Sequence, residues 1–222
     1  MSLRSLSRLE ARALGVLVEK ALTVPDSYPL SLNSLTLGCN QKTARDPVLN
    51  AAEGDVQVAL DGLKGLDLAY ESSGSRVSRY AHNVGRVLAV PSQSVVLLAV
   101  LMLRGPQTVS ELRTNTERLH RFADLSAVEG FLDELAARPS EKGGALVMKL
   151  PRAPGSREAR WVHLLCGMPD PASMAGPHEA EPMPSLTDLE ALRAEQAALR
   201  AEVDQLRGTV ERLCTELGLR PL

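Results

Sequence analysis

Aromatic residues are scarce in this 222-residue chain, at 3% of the sequence. Any hydrophobic core must therefore consist mainly of leucine, valine and alanine. Long apolar runs are also missing: the longest, Val95 to Leu103, has nine residues, whereas a helix that spans a bilayer needs about 20. The first ten residues are largely polar and charged, so we predict neither a signal peptide nor a membrane segment and expect a cytoplasmic protein.

Cysteine is also rare, and the three cysteines, Cys39, Cys166 and Cys214, are far apart in the sequence. No C-x-x-C or H-x-x-x-H spacing is present, so we expect reduced thiols and neither a metal site nor another cofactor. His82 and His163 fall on predicted strands, where a structural role is expected. Paired carboxylates, a nucleophile beside a base and a glycine-rich phosphate loop are missing as well, and we expect no enzymatic activity.

Charge is distributed unevenly along the chain, although the net charge is only −2. Residues 167–222 contain ten acidic residues and five arginines, which leaves residues 1–166 with a net charge of +3. This surplus is smaller than that of a typical nucleic-acid-binding domain. Charge alone therefore does not identify the partner.

The first 80 residues contain signals for three helices and a hairpin. Ser7 with Glu10 forms a capping box, and Asn50 with Glu53 is a second start signal. A Ser-Ser-Gly turn separates two short strand-like runs. The predicted elements are helices over about 7–21, 31–40 and 53–66, and a β-hairpin over 68–82.

The same order of elements recurs in the following 75 residues. A Gly-Pro break at Gly105 separates two helical segments, and Ser126 with Glu129 predicts the start of a third helix. The predicted elements here are helices over about 92–103, 108–116 and 126–138, and strands over 146–150 and 160–165.

Three helices followed by a hairpin is the winged-helix arrangement, and a repeated occurrence strengthens the assignment. We predict a mainly α protein with small β-hairpin wings (α+β). It comprises two tandem winged-helix domains, a linker with five prolines and a C-terminal coiled-coil helix. The predicted ranges are 1–85 and 86–166 for the winged-helix domains, 167–185 for the linker and 186–219 for the coiled coil.

The C-terminal segment carries a heptad pattern with leucine at every d position. The a positions carry valine or leucine; β-branched a residues with leucine at d favour a parallel two-stranded coil, and the one polar a residue, Gln196, favours a fixed register. Acidic g residues would meet arginines at e of a second chain, so we predict a homodimer. Cys214, at an e position, could cross-link the two chains on oxidation. The predicted dimerisation residues are Leu189, Leu192, Gln196, Leu199, Val203, Leu206, Val210, Leu213 and Leu217.

Several motifs in residues 5–166 resemble those of the YceH-like family, a group of functionally uncharacterised bacterial proteins with tandem winged-helix domains. The first repeat contributes Tyr28 to Leu35 and Cys39 to Val48. The second contributes Leu103 to Thr108, Glu111 to Arg113 and Arg118 to Phe122. The resemblance implies the fold and a link to DNA, without a known substrate or partner.

The predicted third helices are unusual for a DNA-binding protein. A winged helix usually places its third helix in the major groove, but the segments 53–66 and 126–138 are each dominated by acidic residues. Phosphate charge would repel them. A solvated or protein-facing role is therefore favoured for both helices.

Basic residues concentrate instead in the wings and in the loops before the third helices. We expect Lys42 and Arg45 to reach outward, while Asn40 and Asp46 order the first loop. Arginines on exposed wing tips could alternatively serve solubility alone. The candidate nucleic-acid-binding residues are Lys42, Thr43, Arg45, Arg76, Arg79, Arg113, Arg118, Arg121, Lys149, Arg152, Arg157 and Arg160.

Two functional hypotheses follow from these patterns. In the first, a dimer grips double-stranded DNA through its wings and loops. In the second, the acidic third helices hold partner proteins, so that the chain is a non-enzymatic scaffold similar to the tandem winged-helix subunit of bacterial condensin.

Overall fold

The computed structural model describes residues 4–72, 77–152 and 157–168, together with Gly208. Apart from Gly208, these residues belong to the first of the two units into which the chain divides, residues 1–171. The predicted dimerisation residues Leu189 to Leu217 and nearly all of the predicted linker lie outside the described residues. The coiled coil therefore stays a prediction.

Local capping determines where the helices of the first half begin. Helix α1 (Arg8–Thr23) has the predicted capping box, in which Ser7 Oγ accepts from the Glu10 N–H and the Glu10 carboxylate accepts from the Ser7 N–H. Helix α2 (Leu32–Cys39) begins where Ser31 Oγ accepts from the Ser34 N–H.

Helix α3 begins at the predicted residue, Glu53, but its capping residue is not the predicted Asn50. Its range is Glu53–Gly65 and its N-terminal flanking residue is Ala52, whose N–H donates to the Asp55 carboxylate at 3.3 Å. The carboxylate near the helix N-terminus also complements the helix dipole. The position of Asn50 as the cap was wrong, because Asp55 takes over the role of the capping side chain.

The first sheet contains one strand that periodicity does not predict. Its order is β1 (Leu30–Ser31), β3 (Arg79–His82), β2 (Ala69–Ser72), with all pairs antiparallel. The pair of β2 and β3 is the predicted hairpin. In β1, Leu30 lies opposite Tyr80 and is 3% exposed. A two-residue strand is too short to show alternation, so the distant partner defines it.

The second half repeats this order of elements. It contains α5 (Ser92–Arg104), α6 (Val109–Thr116), α7 (Leu125–Ala136), and the antiparallel strands β4 (Val147–Lys149) and β5 (Trp161–His163). Helix α6 begins with a capping box of Thr108 and Glu111. Helix α7 begins at Asp124, whose carboxylate accepts from the Ala127 N–H at 2.8 Å. The predicted cap, Ser126, is therefore wrong and lies inside the helix.

One hydrogen bond recurs at the corresponding place in each half. The Asn83 N–H donates to the Leu68 carbonyl at 2.8 Å, and the Leu164 N–H donates to the Leu146 carbonyl at 2.8 Å. The described residues thus form a winged-helix-like α+β fold with small antiparallel sheets of three and two strands.

A short helix, α4 (Val84–Leu88), crosses the predicted boundary between residues 85 and 86. The division into two domains stays a prediction.

The two halves share one hydrophobic core, which is densest where α1 packs on α5. A Cβ added at Gly15 would lie 2.9 Å from Leu103 Cγ and 3.3 Å from the Ala99 carbonyl oxygen. Glycine therefore allows a close approach of the two helices. The fully buried leucines of these two helices include Leu14, Leu17, Leu97, Leu98 and Leu101.

Among the described helices, none combines the length and apolarity needed to cross a membrane.

We predict that Gly15→Ala destabilises the protein, although alanine favours helices. The added methyl group overpacks the contact with Leu103, which typically costs about 1–3 kcal/mol. Urea denaturation should show a lower midpoint. As a matched control, Gly130→Ala in α7, where nothing lies within 4 Å of the added Cβ, should stabilise by up to about 1 kcal/mol. Equal effects of the two substitutions would contradict a close contact at Gly15.

Each hairpin ends in a partly buried histidine with an unpartnered ring nitrogen. Within the described residues, Nδ1 of His82 in β3 and Nδ1 of His163 in β5 have no hydrogen-bond partner. Burial lowers the pKa of His163 to about 4 and lowers that of His82 in the same direction. The expected structural role of these histidines agrees with their position, because both favour the neutral form.

We predict an acid-sensitive contribution from His163. Its folded-state pKa lies below the unfolded value of about 6.5, so His163 stabilises the fold above that pH and loses this contribution as pH falls toward 4. Between pH 7 and 4, the free energy of unfolding of the wild type should fall by on the order of 2 kcal/mol more than that of His163→Gln. Urea titrations at several pH values measure this, with His120→Gln as control. Parallel pH profiles of wild type and His163→Gln would refute the prediction.

Candidate nucleic-acid interface

The third helix of each half presents acidic side chains to solvent. In α3, Glu53, Asp55 and Asp61 are exposed, and the nearby Lys64 contacts Asp61 at 3.4 Å and Glu71 at 3.6 Å. In α7, three further acids are exposed: Glu129, Asp133 and Glu134. Neither helix offers phosphate an exposed basic face, and this agrees with a solvated or protein-facing role.

The loop between α2 and α3 exposes only part of the predicted contact set. Lys42 and Thr43 are exposed, and the Gln41 side-chain amide donates to Thr43 Oγ1 at 3.3 Å. Arg45, in contrast, is buried, with its side chain 0% exposed. The expectation that Arg45 reaches outward is wrong, because the loop folds back onto α1.

Arg45 forms a bidentate ion pair with Glu19 of α1. Its Nη2 lies 2.6 Å from Glu19 Oε2, its Nη1 lies 3.1 Å from Glu19 Oε1, and its Nε donates to the Gly38 carbonyl at 3.1 Å. Burial raises the pKa of Glu19, but the hydrogen bonds and charges of Arg45 and of the neighbouring Lys20 outweigh this effect and hold that pKa below its usual value. The guanidinium thus holds the loop to the core.

A second buried guanidinium belongs to Arg12 of α1, which the sequence patterns did not indicate as a structural residue. It is 2% exposed, and it donates to the Cys39 carbonyl at 3.1 Å and to the Pro47 carbonyl at 2.6 Å. It thereby links the end of α2 to the middle of the loop. The available signal was a charged residue on the apolar side of α1. The neighbouring Cys39 is a buried free thiol whose pKa burial raises to about 11.

The same loop is tied to α3 and to the second half. The Asn40 side chain forms two hydrogen bonds with the Ala51 backbone, at 2.8 and 2.9 Å. The Asp46 N–H donates to the Leu103 carbonyl at the end of α5, at 2.8 Å. The expected loop-ordering role of Asn40 is therefore confirmed. This segment, which carries the first family motif, is primarily a structural connector.

We predict that Arg45→Gln destabilises the fold by about 1–3 kcal/mol, because it removes the bidentate partner of the largely buried Glu19 carboxylate and leaves Lys20, 3.3 Å away, as the remaining cation. Thermal and urea denaturation measure the loss. Lys42→Gln, three residues away and exposed, is the matched control and should leave stability within about 0.5 kcal/mol of the wild type. Similar small effects of both substitutions would argue against the buried ion pair.

In the first wing, one candidate residue can be placed. Arg79 in β3 is exposed, and its Nη1 donates to the Pro29 carbonyl at 2.9 Å. This bond anchors the guanidinium beside β1. Arg76 lies outside the described residues.

The second wing divides its four basic residues into two pairs. Lys149 Nζ lies 5.5 Å from the centroid of the Trp161 ring. Arg160 Nη2 lies 2.8 Å from Glu111 Oε1, and its Nη1 donates to the Pro106 carbonyl at 2.7 Å. Arg160 thus holds the base of the wing against α6, while Lys149 lies over a side chain of the wing itself. Arg152 and Arg157 are exposed near its tip.

The connection between α6 and α7 carries a second exposed group, which we call the α6–α7 basic cluster: Arg113, Arg118 and Arg121. Arg113 and Arg121 line one small pocket of about 100 Å³ together with Phe122. Phe122 is itself buried and packs edge-on against His120, with centroids 4.7 Å apart. The aromatic packing thus fixes the backbone that presents the arginines.

The fold assigns the protein to the broad class of winged-helix-like α+β proteins, and exposed arginines lie beside its second hairpin. Comparison with known proteins identifies the family. The chain belongs to the family described as a protein of unknown function, DUF480, whose model matches residues 6–156. The resemblance to an uncharacterised bacterial family is therefore confirmed.

Relatives are similar over nearly the whole chain. A UPF0502 protein of Burkholderia pseudomallei (strain 668) is 60% identical over 98% of this chain and 92% of its own length. A UPF0502 protein of Burkholderia ambifaria (strain MC40-6) is 58% identical over the same shares. Their names specify neither an activity nor a ligand.

Proposed function

We propose that this protein is a cytoplasmic, non-enzymatic DNA-binding protein that acts as a dimer and contacts phosphates through basic side chains outside its third helices. The observation that carries the proposal is the exposure of two arginine groups in the second half: Arg152 and Arg157 at the wing tip, and the α6–α7 basic cluster. Glu111 of α6 pairs with Arg160 at the base of the wing. Helix α6 therefore contacts the base of the wing and also carries Arg113 of the α6–α7 basic cluster.

The expected mode of binding is positioning on the phosphate backbone. Arginine forms bidentate hydrogen bonds with phosphate oxygens, and such contacts carry no sequence information by themselves. The acidic faces of α3 and α7 disfavour insertion of either helix into the major groove. Sequence preference, where present, would have to arise from DNA shape and deformability.

Dimerisation strengthens this mode of binding. The predicted coiled coil, Leu189 to Leu217, would bring two sets of arginines to one duplex, and linkage of two weak binding units raises the overall affinity. The proline-containing linker would allow the two arms to adjust their spacing. The small surplus of positive charge on each chain would then be enough for DNA binding, because both copies contribute to the same complex.

A salt titration tests the proposal. Binding to a random duplex should be detectable at low salt and should weaken as salt rises. The double substitution Arg152→Gln/Arg157→Gln should reduce the slope of log K against log salt concentration by about 1.8, since each lost phosphate contact contributes about 0.9. Fluorescence anisotropy with labelled duplex gives the required affinities.

A charge-matched control separates specific contacts from net charge. Lys64→Gln/Arg86→Gln removes two positive charges from α3 and α4, away from both arginine groups, and should change the slope little. Equal changes in both double variants would indicate non-specific attraction, and undetectable binding at low salt would refute the proposal.

The alternative is a scaffold that binds partner proteins through its third helices. The observation that favours it is Val58 on α3, which is 73% exposed on the same helix as the exposed acids. An apolar side chain surrounded by acids suits a partner with a basic rim and an apolar centre. Absence of DNA binding combined with a soluble, folded dimer would favour this alternative.

A further inference from the structure

A large cleft lies where corresponding parts of the two halves face each other. Its volume is about 860 Å³, within the range of small-molecule sites. The turn after α3 (66–68), α4, the loop after α7 (138–146) and the residues after β5 all contribute to its lining. The recurring hydrogen bonds of Leu68 and Leu146 flank it, so a ligand here would contact both halves.

The cleft combines apolar lining with basic side chains. Leu66 and Val87 are partly exposed, and Leu88 and Leu146 are nearly buried. Four basic residues also line it: Arg4, Arg86, Arg138 and Lys142. Such a mixture suits a ligand with an apolar body and a charged group.

Arg138 is held in place by one hydrogen bond. It follows α7 and donates through Nη2 to the Leu88 carbonyl at the end of α4, the helix at the boundary of the two halves. No carboxylate among the described residues lies within ion-pair distance of it. Burial lowers the pKa of this guanidinium without a compensating acid. An anion in the cleft would supply the missing charge.

The charges of the lining limit the ligand to a small negative charge. Arg4 is already paired with Glu10 at 2.6 Å, which leaves Arg86, Arg138 and Lys142. Two carboxylates, Asp67 and Glu141, also line the cleft. The remaining balance is one positive charge, which suits a monoanion better than a polyphosphate.

The geometry points to a binding site for an amphiphilic monoanion, such as a carboxylic acid with an aliphatic or aromatic body. Its carboxylate would accept hydrogen bonds from Arg138 and Arg86, and its apolar part would lie against the leucines. Because the ligand would contact both halves, its binding would stabilise their relative arrangement. This proposal does not depend on DNA binding, and ligand-binding measurements alone test it.

Paired probes test the role of charge. Octanoate and 1-octanol have the same aliphatic chain and differ in the anionic group. By isothermal titration calorimetry, the wild-type full-length protein should bind octanoate at least tenfold more tightly than octanol, as expected for a charge-assisted hydrogen bond. Octanoate should also raise the melting temperature. Equal affinities for the two probes, or no octanoate binding at millimolar concentration, would overturn the proposal.

Two substitutions identify the residues involved. Arg138→Gln should weaken octanoate binding about tenfold and leave octanol binding unchanged. Since this substitution also removes a bond to Leu88, Arg86→Gln provides a second test: Arg86 is exposed, and its hydrogen bond to Ala89 involves only its backbone carbonyl, which the substitution leaves in place. Lys64→Gln on α3, which does not line the cleft, is the control and should bind octanoate as the wild type does. Unchanged octanoate affinity in both cleft variants would assign the binding elsewhere.

Discussion

The close packing of α1 against α5 is the contact on which the rest of the described structure depends. Gly15 allows it, since a side chain there would collide with Leu103. Leu103 then has a second role, because its carbonyl accepts the Asp46 N–H from the loop between α2 and α3. One stretch of α5 therefore fixes both the first helix and the loop that follows the second. The hairpins and the arginines they carry are positioned relative to this contact.

Buried charge is the second constraint. Arg12 and Arg45 sit beneath the first loop, and each replaces lost water by hydrogen bonds to carbonyl groups, supplemented for Arg45 by Glu19. A buried guanidinium without such partners would be very costly. The family motif around these residues is therefore explained by folding requirements. The basic side chains available for a partner are those the core does not use.

This division between engaged and exposed charges organises the functional interpretation. At the base of the second wing, Lys149 and Arg160 contact Trp161 and Glu111, while Arg152 and Arg157 remain at the surface. At the junction of the halves, Arg138 holds a carbonyl and has no acidic partner among the described residues. The exposed wing arginines, Arg152 and Arg157, suit an extended polyanion. Arg138 in the cleft suits a small anion. The two proposals thus concern different surfaces and different ligands.

The sequence by itself determined the features that depend on local interactions. The capping box at Ser7, apolar periodicity and turn residues act within a few positions, and the helices and hairpins they predict are present. The tertiary structure decided the features that depend on distant partners. Strand β1 exists because Leu30 pairs with Tyr80, fifty positions away, and Arg45 turns inward because Glu19, twenty-six positions away, lies beneath it. Likewise, the cleft beside Arg138 arises only when the two halves pack together, because a cavity is a property of surfaces that the sequence brings together from separate segments.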